Sequence, residues 1–289
     1  MWTFLALATA LLTSFNPILY KRLVGKAGPV VVVWGVIGLA LPLLALFTWS
    51  LTPTLPRVDN LFVLTVFGAA LLNVRAHLAN ARALQIADAS LVAPLLTFSP
   101  VFTLLISLFV LGEIPTWLDI GGVFFVLIGA YWLNRGPAEN WLAPLQALSL
   151  KPGVRLVLLA GLLWAITPVL EKSAIQHTSP ASPQVVALAV NSLLVVFLTP
   201  IALGRNRSSL GVLFRHRRAW FLAALIAGVA PILGYAALNL GMVGLVTTLF
   251  RFSAVFTVIW GKLLLGEAGF AQKLYASIVM ALGAILIAA

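Results

Sequence analysis

One stretch occurs twice in this chain, and it constrains the fold more than any other feature. Residues 83–113 read ALQIADASLVAPLLTFSPVFTLLISLFVLGE, and residues 237–267 read ALNLGMVGLVTTLFRFSAVFTVIWGKLLLGE. The offset is 154 residues without a gap, and 13 of the 31 positions are identical, including FS-x-VFT and the closing LGE. Apolar composition alone does not generate that spacing. A repeat this long in 289 residues implies two related halves.

The solvent of the two halves follows from the side chains. Apolar residues make up 62% of the chain and charged residues 9%, against about 25% charged in a soluble domain. Too few charges are present to cover a surface in water. A membrane-crossing helix needs about 20 mostly apolar residues. Ten segments qualify: roughly 2–20, 29–50, 59–80, 88–111, 117–134, 154–173, 183–203, 219–240, 243–265 and 270–288. The expected fold class is therefore an all-α integral membrane protein. Residues 1–134 form the first five-helix repeat and 154–289 the second. Residues 135–153, with Pro137, Trp141, Pro144 and Pro152, join them as a linker at the membrane surface. The first segment lacks a basic start, and Lys21 and Arg22 follow it, so it reads as a retained helix and not a secretory signal.

The net charge of +11 is topological. Fifteen of the 18 Lys and Arg residues fall after segments 1, 3, 5, 7 and 9, including Lys21, Arg22, Lys26 and the group Arg205 to Arg218. Only Arg57, Lys172 and Arg251 fall on the other side. Basic residues spread over short loops orient a membrane protein and do not build a nucleic-acid surface. The basic side is expected in the cytoplasm, which puts both termini in the periplasm. Five helices is an odd number, so the second repeat must cross the membrane inverted relative to the first. Inverted repeats place a substrate site between the halves near the midplane and allow alternating access.

Two further pairs carry a resemblance. Pro17-Ile-Leu-Tyr-Lys21 near the end of the first segment matches Pro168-Val-Leu-Glu-Lys172 near the end of the sixth, and LGE ends the fourth and ninth. With ten helices in about 300 residues, this pattern resembles the EamA-type branch of the drug/metabolite transporter superfamily. Within it the chain is most similar to the bacterial aromatic-amino-acid exporters. The resemblance implies a basket of ten helices around a central cavity lined by helices 1, 3, 4, 6, 8 and 9. It implies a bacterial inner-membrane protein that is a monomer or weak homodimer, with contacts through helices 5 and 10. Gly121, Gly122, Gly129 and Gly283 on those helices suit close packing. One position departs from the repeat: Arg251 stands where the first half has Thr97.

Polar groups inside a bilayer are costly and mark protein or water contacts. Asn73, His77 and Asn80 share one face of helix 3 at i, i+4, i+7, as a cavity stripe or an interhelical one. Pro231, Tyr235 and Asn239 do the same on helix 8, and Trp164, Pro168 and Glu171 on helix 6. Trp164 offers a stacking surface for a substrate side chain. Pro17 and Pro168 are hinge candidates, because a mid-helix proline removes a hydrogen bond. Phe98 and Ser99 repeat as Phe252 and Ser253. Arg251 offers a partner for a substrate carboxylate, or pairs with Glu171 or helix-end carbonyls. Glu171 beside Lys172 reads as a surface pair, and Glu113 and Glu267 as structural or gating groups. Arg75 and Arg82 point to the cytoplasmic surface.

The functional expectation is a secondary transporter exporting amino acids, aromatic or neutral, or related small metabolites by alternating access. The partners are that small-molecule substrate and membrane lipid. No phosphate-binding loop, nucleophile–base pair or metal-ligand cluster is visible and there is no cysteine, so an enzyme, a cofactor and a metal are not expected. Membrane-embedded acids are nearly missing, which favours facilitated diffusion. The alternatives are exchange of phosphorylated metabolites or nucleotide sugars, which needs clustered cavity cations, and proton-coupled drug/metabolite efflux through His77.

Overall fold

The computed structural model describes residues 1–52, 54–106, 116–134, 151–204, 217–241 and 243–288. Its helices are α1 (Trp2–Thr13), α2 (Asn16–Ala27), α3 (Pro29–Leu51), α4 (Asn60–Ile86), α5 (Ala89–Leu95), α6 (Ser99–Ile106) and α7 (Trp117–Asn134). The second half follows with α8 (Pro152–Gln176), α9 (Pro183–Gly204), α10 (Arg217–Leu240), α11 (Val243–Phe250), α12 (Ser253–Leu265) and α13 (Phe270–Ala288). Helices satisfy their own backbone groups, as a bilayer requires. Among the described residues 8 are long and apolar enough to cross a membrane, counting Trp2–Ala27 and Leu245–Leu265 as one each. Ala89–Phe98 and Trp117–Leu133 are shorter apolar helices. Residues 107–115 and 135–150, with Glu113 and nearly all of the expected linker, lie outside the described residues. Pro152 and Gly153 are not linker but the first turn of α8, where proline's missing N–H has no partner to lose.

The outer surface carries Phe4, Leu46, Trp49, Leu64, Phe124, Phe221 and Leu263, all exposed. An apolar exterior this extensive suits lipid. Inside, the packing relies on small residues, with Ala69, Ala70, Ala76, Ala223 and Ala237 fully buried. The most extensive pairings are α7 with α13 and α4 with α8, each between the two halves. The glycines of α7 and α13 make the first pairing possible. A Cβ on Gly283 would stand 2.6 Å from the Gly122 carbonyl oxygen, and one on Gly129 would stand 2.4 Å from the Met280 side chain. Gly121 faces open space.

Both doubled stretches break at the same place. Leu96–Phe98 is a 3₁₀ turn between α5 and α6, and Arg251–Phe252 separates α11 from α12. Pro94 inside α5 accounts for a bend in the first. The second lacks prolines at the matching positions. It bends through i to i−3 bonds instead, Arg251 N to Thr248 O at 3.0 Å and Phe252 N to Leu249 O at 3.1 Å. The first crossing also breaks, at Ser14–Phe15, just before Pro17 in the first turn of α2. α12 completes the polar groups there. Thr257 donates to the Ser14 carbonyl at 2.8 Å and the Trp260 indole to the Ser14 hydroxyl at 3.0 Å, while Trp260 stacks on Phe15 with ring centroids 4.7 Å apart. Pro168, the other hinge candidate, lies inside the unbroken α8.

LGE has a concrete role in the second half. Gly266, left-handed at φ 67°, ends α12 and turns the chain back. Glu267, now buried, accepts hydrogen bonds from the Ala89 and Ser90 N–H groups at 3.0 Å each and from the Ser90 hydroxyl. It thereby caps α5, where a carboxylate meets the positive end of the helix. Lys21 lies 3.6 Å away, and Asp88 binds both Lys21 and Lys273, at 2.9 and 3.1 Å. Glu267 thus both meets a base and caps a neighbouring helix, which is a structural role. Arg75 and Arg82 are exposed.

At the other end of α4, Arg57–Val58 pairs antiparallel with Thr178–Ser179 as a two-stranded ribbon between the halves. Asp59 caps α4, accepting from Phe62 N at 2.9 Å, and meets His177 Nδ1 at 2.7 Å. The Phe62 N–H and then His177 hold the Asp59 carboxyl below its ordinary range. A depressed carboxyl pKa stabilises above the unfolded value and is lost as pH falls through the folded one. Acidification is therefore expected to loosen this ribbon, read as faster amide exchange at Val58 and Thr178, and Asp59→Asn to be loosened already at neutral pH.

Candidate functional site

A cavity of about 260 Å³ opens between the halves. That is slightly under the range of about 300–1,000 Å³ usual for small-molecule sites. Six polar positions define its chemistry: Asn16, Asn73, His77, Glu171, Asn191 and Tyr235. Thr9, Thr13 and Tyr20 add hydroxyls, and Ile37, Val190, Leu194, Leu238 and Phe250 provide apolar wall. Spans 1, 2, 3, 6, 7, 8 and 9 contribute, so spans 2 and 7 join the implied lining, and no described residue of span 4 is on it.

The polar core is a chain of side chains. The Trp164 indole donates to Asn73 Oδ1 at 3.0 Å, and Asn73 Nδ2 donates to Glu171 Oε1 at 3.0 Å. Tyr235 lies close enough to interact with the same carboxylate. Trp164 also packs edge-on against His77, with ring centroids 5.2 Å apart. Alanine-rich faces let α4 and α8 approach closely enough for these bonds. Glu171 is the only carboxylate on the lining among the described residues, and no Lys or Arg joins it.

Several expected site residues are placed elsewhere. Asn73, His77, Tyr235 and Pro168 line the cavity. Trp164 does not; it fixes Asn73 and His77 from behind. Asn80 is buried off the cavity with Oδ1 lacking a partner among the described residues. Phe98 packs against Phe102, and Ser99 donates to the Gly161 carbonyl at 2.6 Å, so both serve helix packing. Asn239 is exposed near the end of α10, because the last turn carries it past the cavity. Arg251 sits in the turn between α11 and α12, off the lining, and forms no ion pair with Glu171 among the described residues. Glu171 itself is not a surface pair with Lys172. It is 8% exposed, and Lys172 turns away to donate to the Gly241 carbonyl at 2.5 Å. One residue of helical rotation, about 100°, separates their directions. Sequence reasoning missed Asn16 and Asn191, lone amides in apolar runs with no pattern to flag them.

The family model described as "EamA-like transporter family" matches residues 1–135 and 151–289. The chain belongs to the EamA-like transporter family. It is a multi-pass membrane transporter of small molecules, and the family consists of transporters and not enzymes. Among curated proteins none matches this sequence. Among solved structures 23 chains match. One is a crystal structure 16% identical to this chain, with a TM-score of 0.64 over 99% of this chain and 95% of that one. At that identity the likeness speaks for the fold alone.

Proposed function

We propose that this EamA-like transporter is a secondary exporter of amino acids, aromatic or neutral, or related small metabolites across the bacterial inner membrane. Ten crossings in two inverted repeats, 1–134 and 154–289, carry the cycle by alternating access. Contacts support the inversion. Lys21 donates to the Ala87 carbonyl at 2.8 Å, and its counterpart Lys172 to the Gly241 carbonyl. The loops after crossings 1, 3 and 9 meet in the Lys21–Asp88–Glu267–Lys273 cluster, and those after 2 and 6 in the two-stranded ribbon. Both termini then face the periplasm.

The observation that carries the substrate reading is the lining of the cavity. Amides, hydroxyls and one carboxylate face apolar wall, which suits a small zwitterion with an uncharged side chain. Phosphorylated metabolites and nucleotide sugars need cations that the described lining lacks. The test is flux from proteoliposomes of the full chain, loaded in turn with phenylalanine, leucine, glutamate and glucose 6-phosphate. Phenylalanine or leucine should leave faster than from empty liposomes. Movement of glucose 6-phosphate alone would overturn the reading. Trp164→Phe keeps the bulk but frees Asn73, and flux should fall about tenfold, the equivalent of one hydrogen bond of roughly 1.4 kcal/mol.

A further inference from the structure

We propose that Glu171 is an exchange site whose carboxylate is occupied alternately by a proton and by the primary ammonium group of the transported molecule. This rests on the cavity being the transport site, and it turns the exporter into a proton antiporter selective for amine-bearing substrates.

The geometry argues from acceptors that lack donors. Glu171 is buried at the cavity wall and holds one firm donor, Asn73 Nδ2 at 3.0 Å, with Tyr235 beside it. No cation lies within ion-pair distance among the described residues. Asn16, on the same cavity, has a buried Oδ1 with no partner among the described residues. A buried carboxylate with neutral neighbours alone is costly while ionised. A proton removes the charge, and an ammonium group offsets it while bringing three donors for these acceptors. Both cannot occupy the site together. The step balances: the carboxyl releases its proton to water as the ammonium takes its place, and the reverse follows on the other side of the membrane.

Other titratable groups facing this point are few. α4 contributes His77, α2 Tyr20 and α10 Tyr235, all on the cavity. Lys172 is held by the Gly241 carbonyl, Arg251 is off the lining, and Arg75 and Arg82 are exposed. Glu171 is thus the one group on the described lining that is anionic when deprotonated near neutral pH.

The experiment uses the purified full chain in detergent and isothermal titration with phenethylamine, phenylalanine and 3-phenylpropionate, each in two buffers of different ionisation enthalpy. The first two should displace about one proton per bound molecule below the carboxyl pKa, and their affinity should fall about tenfold per pH unit there. 3-Phenylpropionate, which lacks the amine, should bind at least tenfold more weakly than phenylalanine. In Glu171→Gln, proton release should vanish. Amine binding without proton release in the wild type would overturn the proposal, whether or not the variant folds. So would release that survives Glu171→Gln and is lost in His77→Gln, or 3-phenylpropionate binding as tightly as phenylalanine. If neither amine binds or releases a proton while the liposome panel still shows amino-acid flux, the proposal fails and the exporter reading stands. If that panel is also silent, both fail.

Discussion

Glu267→Ala is expected to destabilise the folded protein by about 3–5 kcal/mol, the scale for removing one partner of a buried ion pair. The residue is 9% exposed and lies 3.6 Å from Lys21 and 4.0 Å from Lys273. Truncation leaves the Ala89 and Ser90 N–H groups buried without their acceptor and removes the anion at the start of α5. It also separates pieces that are far apart in sequence, since the cluster joins α2 and α5 of the first half to α12 and α13 of the second. Glu267→Gln keeps an acceptor oxygen and loses the charge, so its loss should be smaller. Equilibrium unfolding in mixed detergent measures both. Equal stability of Glu267→Ala and wild type would mean that the LGE turn is incidental to the fold.

Gly283→Val is expected to break the α7–α13 pairing. Its Cβ would stand 2.6 Å from the Gly122 carbonyl oxygen, 2.8 Å from Phe125 Cβ and 2.8 Å from Val126 N. Two of these are backbone atoms, which cannot rotate away, so the helices must separate. Overpacking a core costs about 1–3 kcal/mol where side chains can adjust, and this contact gives less room than that. Gly121→Val is the control, because a Cβ there meets nothing within 4 Å. The yield of folded monodisperse protein should collapse for the first and hold for the second. Close packing was expected of these glycines, and Gly122, Gly129 and Gly283 provide it between α7 and α13.

The repeat made most of the architecture legible. An offset of 154 residues predicted the paired stretches, and it extends to their breaks, Thr97–Phe98 against Arg251–Phe252. The break without proline was not foreseeable from residue type, because tertiary contacts and i to i−3 bonds replace the proline signal. At the site, helical spacing found Asn73, His77 and Tyr235. It failed for Asn239, which continues the spacing but lies exposed in the last turn of α10, past the cavity. Glu171 was misread because adjacency to Lys172 in sequence suggested a pair, whereas successive helical residues point apart. Trp164 was read as a stacking surface for a substrate side chain; its indole donates to Asn73, and it is not among the residues lining the cavity. Asn16 and Asn191 carried no sequence signal, since a single amide in an apolar run serves packing as readily as a site. The reading of facilitated diffusion rested on the scarcity of embedded acids, and the burial of Glu171 at the cavity wall removes that support.

That the transported molecule passes through this cavity is tested most directly by blocking it. The chain has no cysteine, so Ala227→Cys introduces a single thiol on the lining without touching its polar groups. Transport by this variant in proteoliposomes should continue until a bulky maleimide is added and then stop, with phenylalanine slowing the labelling. Complete labelling with flux unchanged would contradict the account.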